Sequence, residues 1–200
     1  MDTRIAPAPA AQLGPLARVV AWAVGRATFG SPPHIFTTLG RHRRLFRSWI
    51  PFAATMLLRT RLPRVDVELL ILRTAYNCSS PYEWAQHAYV ARRAGLSDSV
   101  IAAVPSWGGA SVLSERQRRL LAATDELHAR RVLTQTTWNG LRADLDDAEL
   151  IELCMLVGHY EMLAMMLNSL GVAPEPALLD TLDEPVQRVV RQLQEGINDV

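Results

Sequence analysis

Two hundred residues hold one domain, or one and a half at most, with enough chain to bury a core. A composition 49% hydrophobic and 20% charged excludes a disordered or fibrous chain, and a net charge of +1, from 21 basic and 20 acidic residues, offers no electrostatic case for nucleic acid or a strongly acidic partner. All 21 basic residues are arginine, which excludes Schiff-base chemistry, pyridoxal phosphate anchored on an internal lysine, and a phosphate loop ending in Gly-Lys.

Cys78 and Cys154 are too few for a disulfide framework or an all-thiolate zinc site, so a reducing cytosol is the default expectation. Asp2 and Arg4 precede an Ala/Pro stretch to Ala11. The apolar run from Leu13 to Phe29 is broken by Arg18 and Arg26 and is too short to span a bilayer; Glu161 to Val172 is apolar but only about one core helix long. No export signal or membrane span is expected.

Apolar residues recur at three and four, which predicts helices nearly throughout and no strand of period two. The first helix is expected over about Leu13 to Ala27, ending before Gly30. A second starts at Ser31-Pro32-Pro33, with Ser31 as cap, and runs through Arg41-His42-Arg43-Arg44 to about Ser48; Pro51 opens another. About Arg64 to Asn77 forms the next. Ser80-Pro81-Tyr82-Glu83 reads as a capping box, in which the first side chain and the fourth cap one another's backbone, and this helix stops at Gly95. Ser97 caps a short helix, Trp107-Gly108-Gly109-Ala110 is a loop, and Ser114-Glu115-Arg116-Gln117 is a second capping box beginning a helix to about Arg131. Thr134 to Ala143 is a shorter helix, and Asp146 or Asp147 caps a long apolar one ending at Gly171. Past Pro174 the tail is expected as one or two surface helices with a frayed end. A shift of 76 residues places Gly95 on Gly171, Leu96 on Val172 and Cys78 on Cys154, which fits either a degenerate duplication or the chance likeness of two long helices. Only the first copy has a histidine at the His87 position; the second has Leu163.

Reactive residue types are densest from Glu68 to His87. Glu83 and His87 stand four apart, on one helix face, so they can touch. A carboxylate beside an imidazole orients the ring and strengthens it as a base, and Glu68 on the preceding helix is a second such acid. The plain structural readings stand beside these. Glu83 also suits the end of a capping box, Glu68 the first turn of a helix, and His87 a half-buried histidine bonded to either acid. Tyr82 and Trp84 are substrate-pocket candidates that also fit core or interface aromatics, and Cys78 is a pocket candidate that also fits a small core residue. Cys154 and the Met162, Met165, Met166 cluster read as packing, and the arginines at 41–47 and 59–64 as solvated faces. Glu68, Glu83 and His87 include ligand types for several divalent ions, but their spacing is not that of a zinc-binding helix, and no metal is expected.

The run from Glu68 through Arg73, Asn77-Cys78 and Tyr82-Glu83-Trp84 to His87, followed by Ala94-Gly95-Leu96-Ser97, resembles the carboxymuconolactone decarboxylase family, which includes the alkyl hydroperoxidase D proteins. The peroxidase branch has a Glu, eleven residues, Cys-x-x-Cys, three residues and His. Glu68 and His87 match its ends, whereas Ser80 and Glu83 stand where its cysteines would be, and Cys78 lies two positions early. The Asn77-Cys78 to Tyr82-Glu83-Trp84 and His87 form resembles a cysteine-poor subgroup of the family, as does Glu149 to Val172 with Gly158-His159-Tyr160, so the similarity spans about Pro32 to Val172. The resemblance implies an all-α alkyl hydroperoxidase D-like bundle made of residues 31–172, flanked by an N-terminal helix and arm over 1–30 and a helical tail over 173–200. It implies a homo-oligomer, trimer or hexamer, and a small-molecule pocket near His87. The chemistry implied is cofactor-free proton transfer by His87, Glu83 and Glu68, as in a decarboxylase or isomerase, with Arg73 as the anion partner. A thiol peroxidase using Cys78, and a non-catalytic oligomeric small-molecule binder, are the competing expectations; neither nucleic acid nor membrane is expected as a partner.

Overall fold

The computed structural model describes residues 3–198; Asp2 and the frayed end expected of the tail fall outside them. Eleven α-helices follow one another among these residues: α1 (Pro15–Ala27), α2 (His34–Leu39), α3 (Arg43–Leu58), α4 (Arg64–Asn77), α5 (Pro81–Ala94), α6 (Asp98–Ala103), α7 (Glu115–Arg130), α8 (Gln135–Arg142), α9 (Asp147–Leu170), α10 (Pro176–Leu179) and α11 (Glu184–Asn198). No strand occurs among them. One core runs from Ala8 to Leu193, so the arm and the tail contribute to the same core as the central bundle.

Helix α4 is the axis, packed by α5, α7 and α9. Val67 to Leu72 are without exposed surface on every side, so the helix has no solvent stripe on which to place its charges. It pairs them with neighbours instead. Asp66 takes two bonds from Arg116 of α7 at 2.9 and 2.6 Å, and Arg73 grips Asp125 of α7 at 2.6 and 2.9 Å. Glu68 is met by Arg64 one turn before it and by His87 of α5. Such paired charges specify how the helices register.

The tail closes the bundle against α5. Glu175, itself buried, accepts hydrogen bonds from the His34 backbone, the Tyr82 hydroxyl at 3.0 Å and the Gln86 amide at 2.5 Å. Val186, Val190 and Leu193 of α11 are buried with it, so the helix expected on the surface lays one full face on α5 and α6. Helix α9 is apolar and long enough to cross a membrane by composition, and 56% of that stretch is buried here against the protein's own helices.

Several boundaries differ from the sequence reading. The helix expected from Ser31 to Ser48 breaks at Gly40-Arg41-His42, because a Cβ on Gly40 would lie 2.9 Å from both Ala17 and Leu13 of the α1 region; the chain crosses there at glycine and restarts. Pro51 opens nothing and sits inside α3, whose first turns are secured by His42 accepting from the Leu45 N–H. Ser31 caps no helix; its hydroxyl is buried without a partner. Ser80 does begin α5, but its side chain makes no capping bond to the backbone, whereas the boxes at Ser114/Gln117 and Asp146/Glu149 are complete. Val104–Gly109 is a 3-10 turn where a loop was expected. Gly95 (φ +104°) and Gly171 (φ +66°) end α5 and α9 with the same bonds, Leu96 N–H to Ala91 and Val172 N–H to Leu167, each 3.0 Å.

Gly25 supplies a test of this packing. Within a helix Ala is ordinarily favoured over Gly by about 1 kcal/mol. At Gly25 a Cβ would stand 2.5–2.8 Å from the Ser31–Pro32 backbone, which is collision with main chain. Overpacking of that kind costs about 1–3 kcal/mol, so Gly25→Ala is expected to lower the melting temperature by several degrees in calorimetry. A rise would mean that the two segments do not approach as described.

Candidate functional site

The site forms where α4, α5 and α9 meet. Glu68 is fully buried because every face of α4 is covered, and its two oxygens go to two partners: Oε2 lies 2.7 Å from His87 Nδ1 and Oε1 lies 2.7 Å from an Arg64 nitrogen. Arg64 also donates to the Leu57 carbonyl, which ties this cluster to the end of α3. With Nδ1 donating to the carboxylate, Nε2 is the nitrogen of His87 left to accept a proton. The His87 side chain keeps 12% of its surface exposed. Its ring meets Tyr160 of α9 edge-on at 4.9 Å.

Glu83 is almost completely buried and neither of its oxygens has a hydrogen-bond partner. Burial therefore pushes its pKa well above the ordinary value; Ser80 nearby pulls weakly the other way, though no bond of normal geometry joins them. The contact between Glu83 and His87 allowed by their spacing is not made, because the imidazole is turned toward Glu68. The two acids thus differ in surroundings: Glu68 is paired with Arg64 and His87, whereas Glu83 is unpaired and pushed toward its neutral form by burial. Tyr160 is held as a neutral phenol by burial, reinforced by Glu68 and Glu83. Behind it, Trp49 donates to His159 Nε2 at 2.9 Å, and Phe52 meets that ring edge-on at 5.0 Å. Burial, with a smaller contribution from His87, lowers His159 to about 4, so it is neutral at pH 7.

The other candidates fall elsewhere. Arg73 is held by Asp125 and by the Val104 and Pro105 carbonyls at 2.9 and 3.0 Å, which commits its guanidinium within the protein. The Tyr82 hydroxyl is engaged by the Ile35 N–H, Gln86 and Glu175. Trp84 is buried beside Tyr76, with its indole nitrogen unpartnered. Cys78 lies 3.8 Å from His128 Nδ1, away from the Glu68–His87 pair in its bonding; burial, then Glu161 and Glu83, push its thiol up to about 12. Sequence reasoning quoted Gly158-His159-Tyr160 without giving it a role. The available signal was two polar rings side by side in an otherwise apolar helix. It missed His128 and Glu161, whose neighbours in sequence say nothing of Cys78.

The raised Glu83 has a pH signature. Its folded pKa lies above its unfolded one, so the stabilisation is complete below about 4.5 and is lost as pH rises from there toward the folded value. Glu83→Gln keeps the shape and cannot ionise. Urea unfolding between pH 4 and 8 is expected to show the variant gaining on wild type as pH rises; parallel curves would place Glu83 in solvent.

The carboxymuconolactone decarboxylase family model matches residues 43–126, the stretch containing Glu68, Glu83 and His87. Among solved structures, the alkylhydroperoxidase AhpD core protein of Ralstonia eutropha JMP134, described as uncharacterized and peroxidase-related, is 19% identical, with 89% of this chain and 95% of that chain covered and a TM-score of 0.80. A peroxidase-related protein of Silicibacter sp. TM1040 is 13% identical over 88% and 94% of the chains, TM-score 0.75. The debrominase Bmp8, solved as a variant with 2,3,4-tribromopyrrole, is 14% identical over 98% of each chain, TM-score 0.76. Nothing matches among curated proteins. At these identities the solved structures speak for the fold: the same helical bundle. The family match across α3 to α7, together with the shared bundle, supports a carboxymuconolactone decarboxylase and alkyl hydroperoxidase D-like superfamily relationship for this chain.

Proposed function

We propose that the protein is a cofactor-independent proton-transfer enzyme, a decarboxylase or isomerase, acting on a small carboxylated or lactone-type substrate. The observation that carries this reading is the buried Glu68 Oε2 at 2.7 Å from His87 Nδ1, with the neutral Glu83 one turn away on the same helix. His87 Nε2 takes a proton from a substrate carbon while Glu68 orients the ring and stabilises the imidazolium. In an isomerisation, the electron pair released moves into the adjacent carbonyl system, and the proton returns at another carbon. In a decarboxylation, the C–CO2 bond breaks, its electrons pass into the conjugated carbonyl, and Glu83 delivers the proton to carbon before regaining one from water. Two acids whose surroundings set them in different states suit this division of roles.

Two structural relatives described as peroxidase-related favour a second reading, with Cys78 as the reacting thiol. A thiol pushed up to about 12 holds little thiolate at neutral pH, and Ser80 and Glu83 occupy the positions of the family's cysteine pair. The proton-transfer reading is therefore preferred.

The homo-oligomer implied by the resemblance is proposed to use the outer face of α9. Ile151, Met155, Gly158, Met162 and Met165 are all exposed and follow one another at steps of four, three, four and three, the repeat of a helix seam. A mid-helix glycine ordinarily costs about 1 kcal/mol. A Cβ on Gly158 would meet nothing within 4 Å in this chain, so the glycine is accounted for by a partner backbone crossing there. The steps read nearly alike in both directions from Gly158, as a two-fold pairing of identical helices requires.

His87→Gln retains an amide that can donate to Glu68 and loses the base. Carboxymuconolactone turnover, followed by CO2 release, or hydrogen exchange of a lactone substrate in D2O, is expected to fall by about 10²–10⁴ with stability changed by less than about 1 kcal/mol. Loss of stability with turnover intact would make His87 a structural residue. For the seam, light scattering at micromolar concentration is expected to give more than one chain for wild type and a smaller assembly for Met155→Glu. A monomeric wild type removes the seam.

A further inference from the structure

Outside the Glu68–His87 site, three side chains from three helices converge. Cys78 stands at the end of α4, His128 in the last turn of α7 and Glu161 in the middle of α9, and their Sγ, Nδ1 and carboxylate oxygen all lie within 4.8 Å of one another. His128 Nδ1 is 3.8 Å from the Cys78 sulfur and 2.8 Å from Glu161 Oε1. We propose that Cys78, His128 and Glu161 form a binding site for a borderline-soft divalent cation of the zinc class, one ion per chain.

Donor type, distance and charge agree. Tetrahedral zinc takes sulfur at about 2.3 Å and nitrogen or oxygen at about 2.0–2.2 Å, which sets donor atoms some 3.2–3.8 Å apart. The sulfur and nitrogen already have that separation, the nitrogen and oxygen need to open by a few tenths of an ångström, and the sulfur and carboxylate oxygen, within 4.8 Å, need to close by about 1 Å at most. A thiolate, a neutral imidazole and a carboxylate carry two negative charges together, the complement of a divalent ion. The mixed sulfur, nitrogen and oxygen set favours zinc or cobalt over magnesium or calcium.

A cation already occupies the edge of this cluster. Arg131 places one guanidinium nitrogen 2.8 Å from both oxygens of Glu161. Its side chain is 62% exposed, so it can leave for solvent when an ion arrives. Asn168 of α9 donates to the Cys78 carbonyl at 2.9 Å, fixing the turn that presents the sulfur. Within one chain, Glu161 and Arg131 also line a cavity of about 430 Å³ with Cys154 and Gly158, so the cluster lies beside the α9 seam. Binding converts the thiol to a metal thiolate and releases its proton to solvent, so no redox step is involved.

Chelator-treated full-length protein titrated with Co²⁺ tests this. A single equivalent is expected to produce a thiolate-to-cobalt charge-transfer band together with intense tetrahedral d–d bands, and Zn²⁺ is expected to abolish both. The charge-transfer band separates this site from surface histidines such as His34 and His42, which bring no sulfur. Cys78→Ser should eliminate that band, and His128→Ala and Glu161→Gln should weaken cobalt binding at least ten-fold, with helical content checked by circular dichroism. Should Cys78→Ser fail to fold, Cys154→Ser in an otherwise native chain gives the answer, because its band must persist unchanged. Absence of the charge-transfer band in wild type at excess cobalt, or its loss in Cys154→Ser alone, overturns the proposal.

Discussion

Glu68 is a carboxylate without exposed surface, and the fold tolerates it because Arg64 and His87 each approach one of its oxygens to 2.7 Å. Leaving such a group unpaired in the interior costs several kcal/mol, a large share of a domain's net stability. Helices α4 and α5 therefore cannot rotate or slide against each other without breaking the cluster. The pairs Asp66–Arg116 and Arg73–Asp125 hold α7 to α4 in the same manner. Three polar pairs thus fix the register of a helix whose apolar residues, buried on every side, would fit many registers nearly equally well.

The same constraint shapes the proposed site. Fixing Glu68 between Arg64 and His87 leaves the imidazole with one committed nitrogen and one free. Glu83, on the same helix as His87 and without any partner, is driven to the neutral form by burial. His159 and Tyr160 add an uncharged imidazole and an uncharged phenol around the pair. Charge is therefore confined to the Glu68 cluster, the setting that the proposed proton transfer at His87 would use.

Much of this was legible in the sequence because it is local. The apolar run from Val67 to Ala75 marks α4, and Gly95 and Gly171 end their helices because only glycine takes those left-handed angles without strain. The Glu68 and His87 spacing likewise survives, since helix α4, one tight turn and helix α5 leave little freedom between them. What failed depends on contacts across the chain. Pro51 looks like a helix start but is carried inside α3, which buries Phe46, Trp49, Ala53 and Met56 on one continuous face. Arg73 looks like a free anion partner until Asp125, 52 residues on, takes its guanidinium. Cys78 acquires His128 and Glu161 only through the packing of α7 and α9, which no spacing within one helix records.

The latch at Glu175 sets an order in time. Helix α5 carries Glu83 and His87, yet its outer side is covered by Glu175, which holds Tyr82 and Gln86, and by α11 through Val186, Val190 and Leu193. A chain leaves the ribosome N-terminus first, so α5 emerges roughly 80–100 residues before the segment that covers it, a delay on the order of 5–20 s at ordinary synthesis rates. Throughout that interval the apolar side of α5 lacks its α11 cover and the Tyr82 hydroxyl lacks the Glu175 carboxylate. The side of α5 that faces α11 is thus made early and sealed last, so the burial of Tyr82 and Gln86 waits on the end of synthesis.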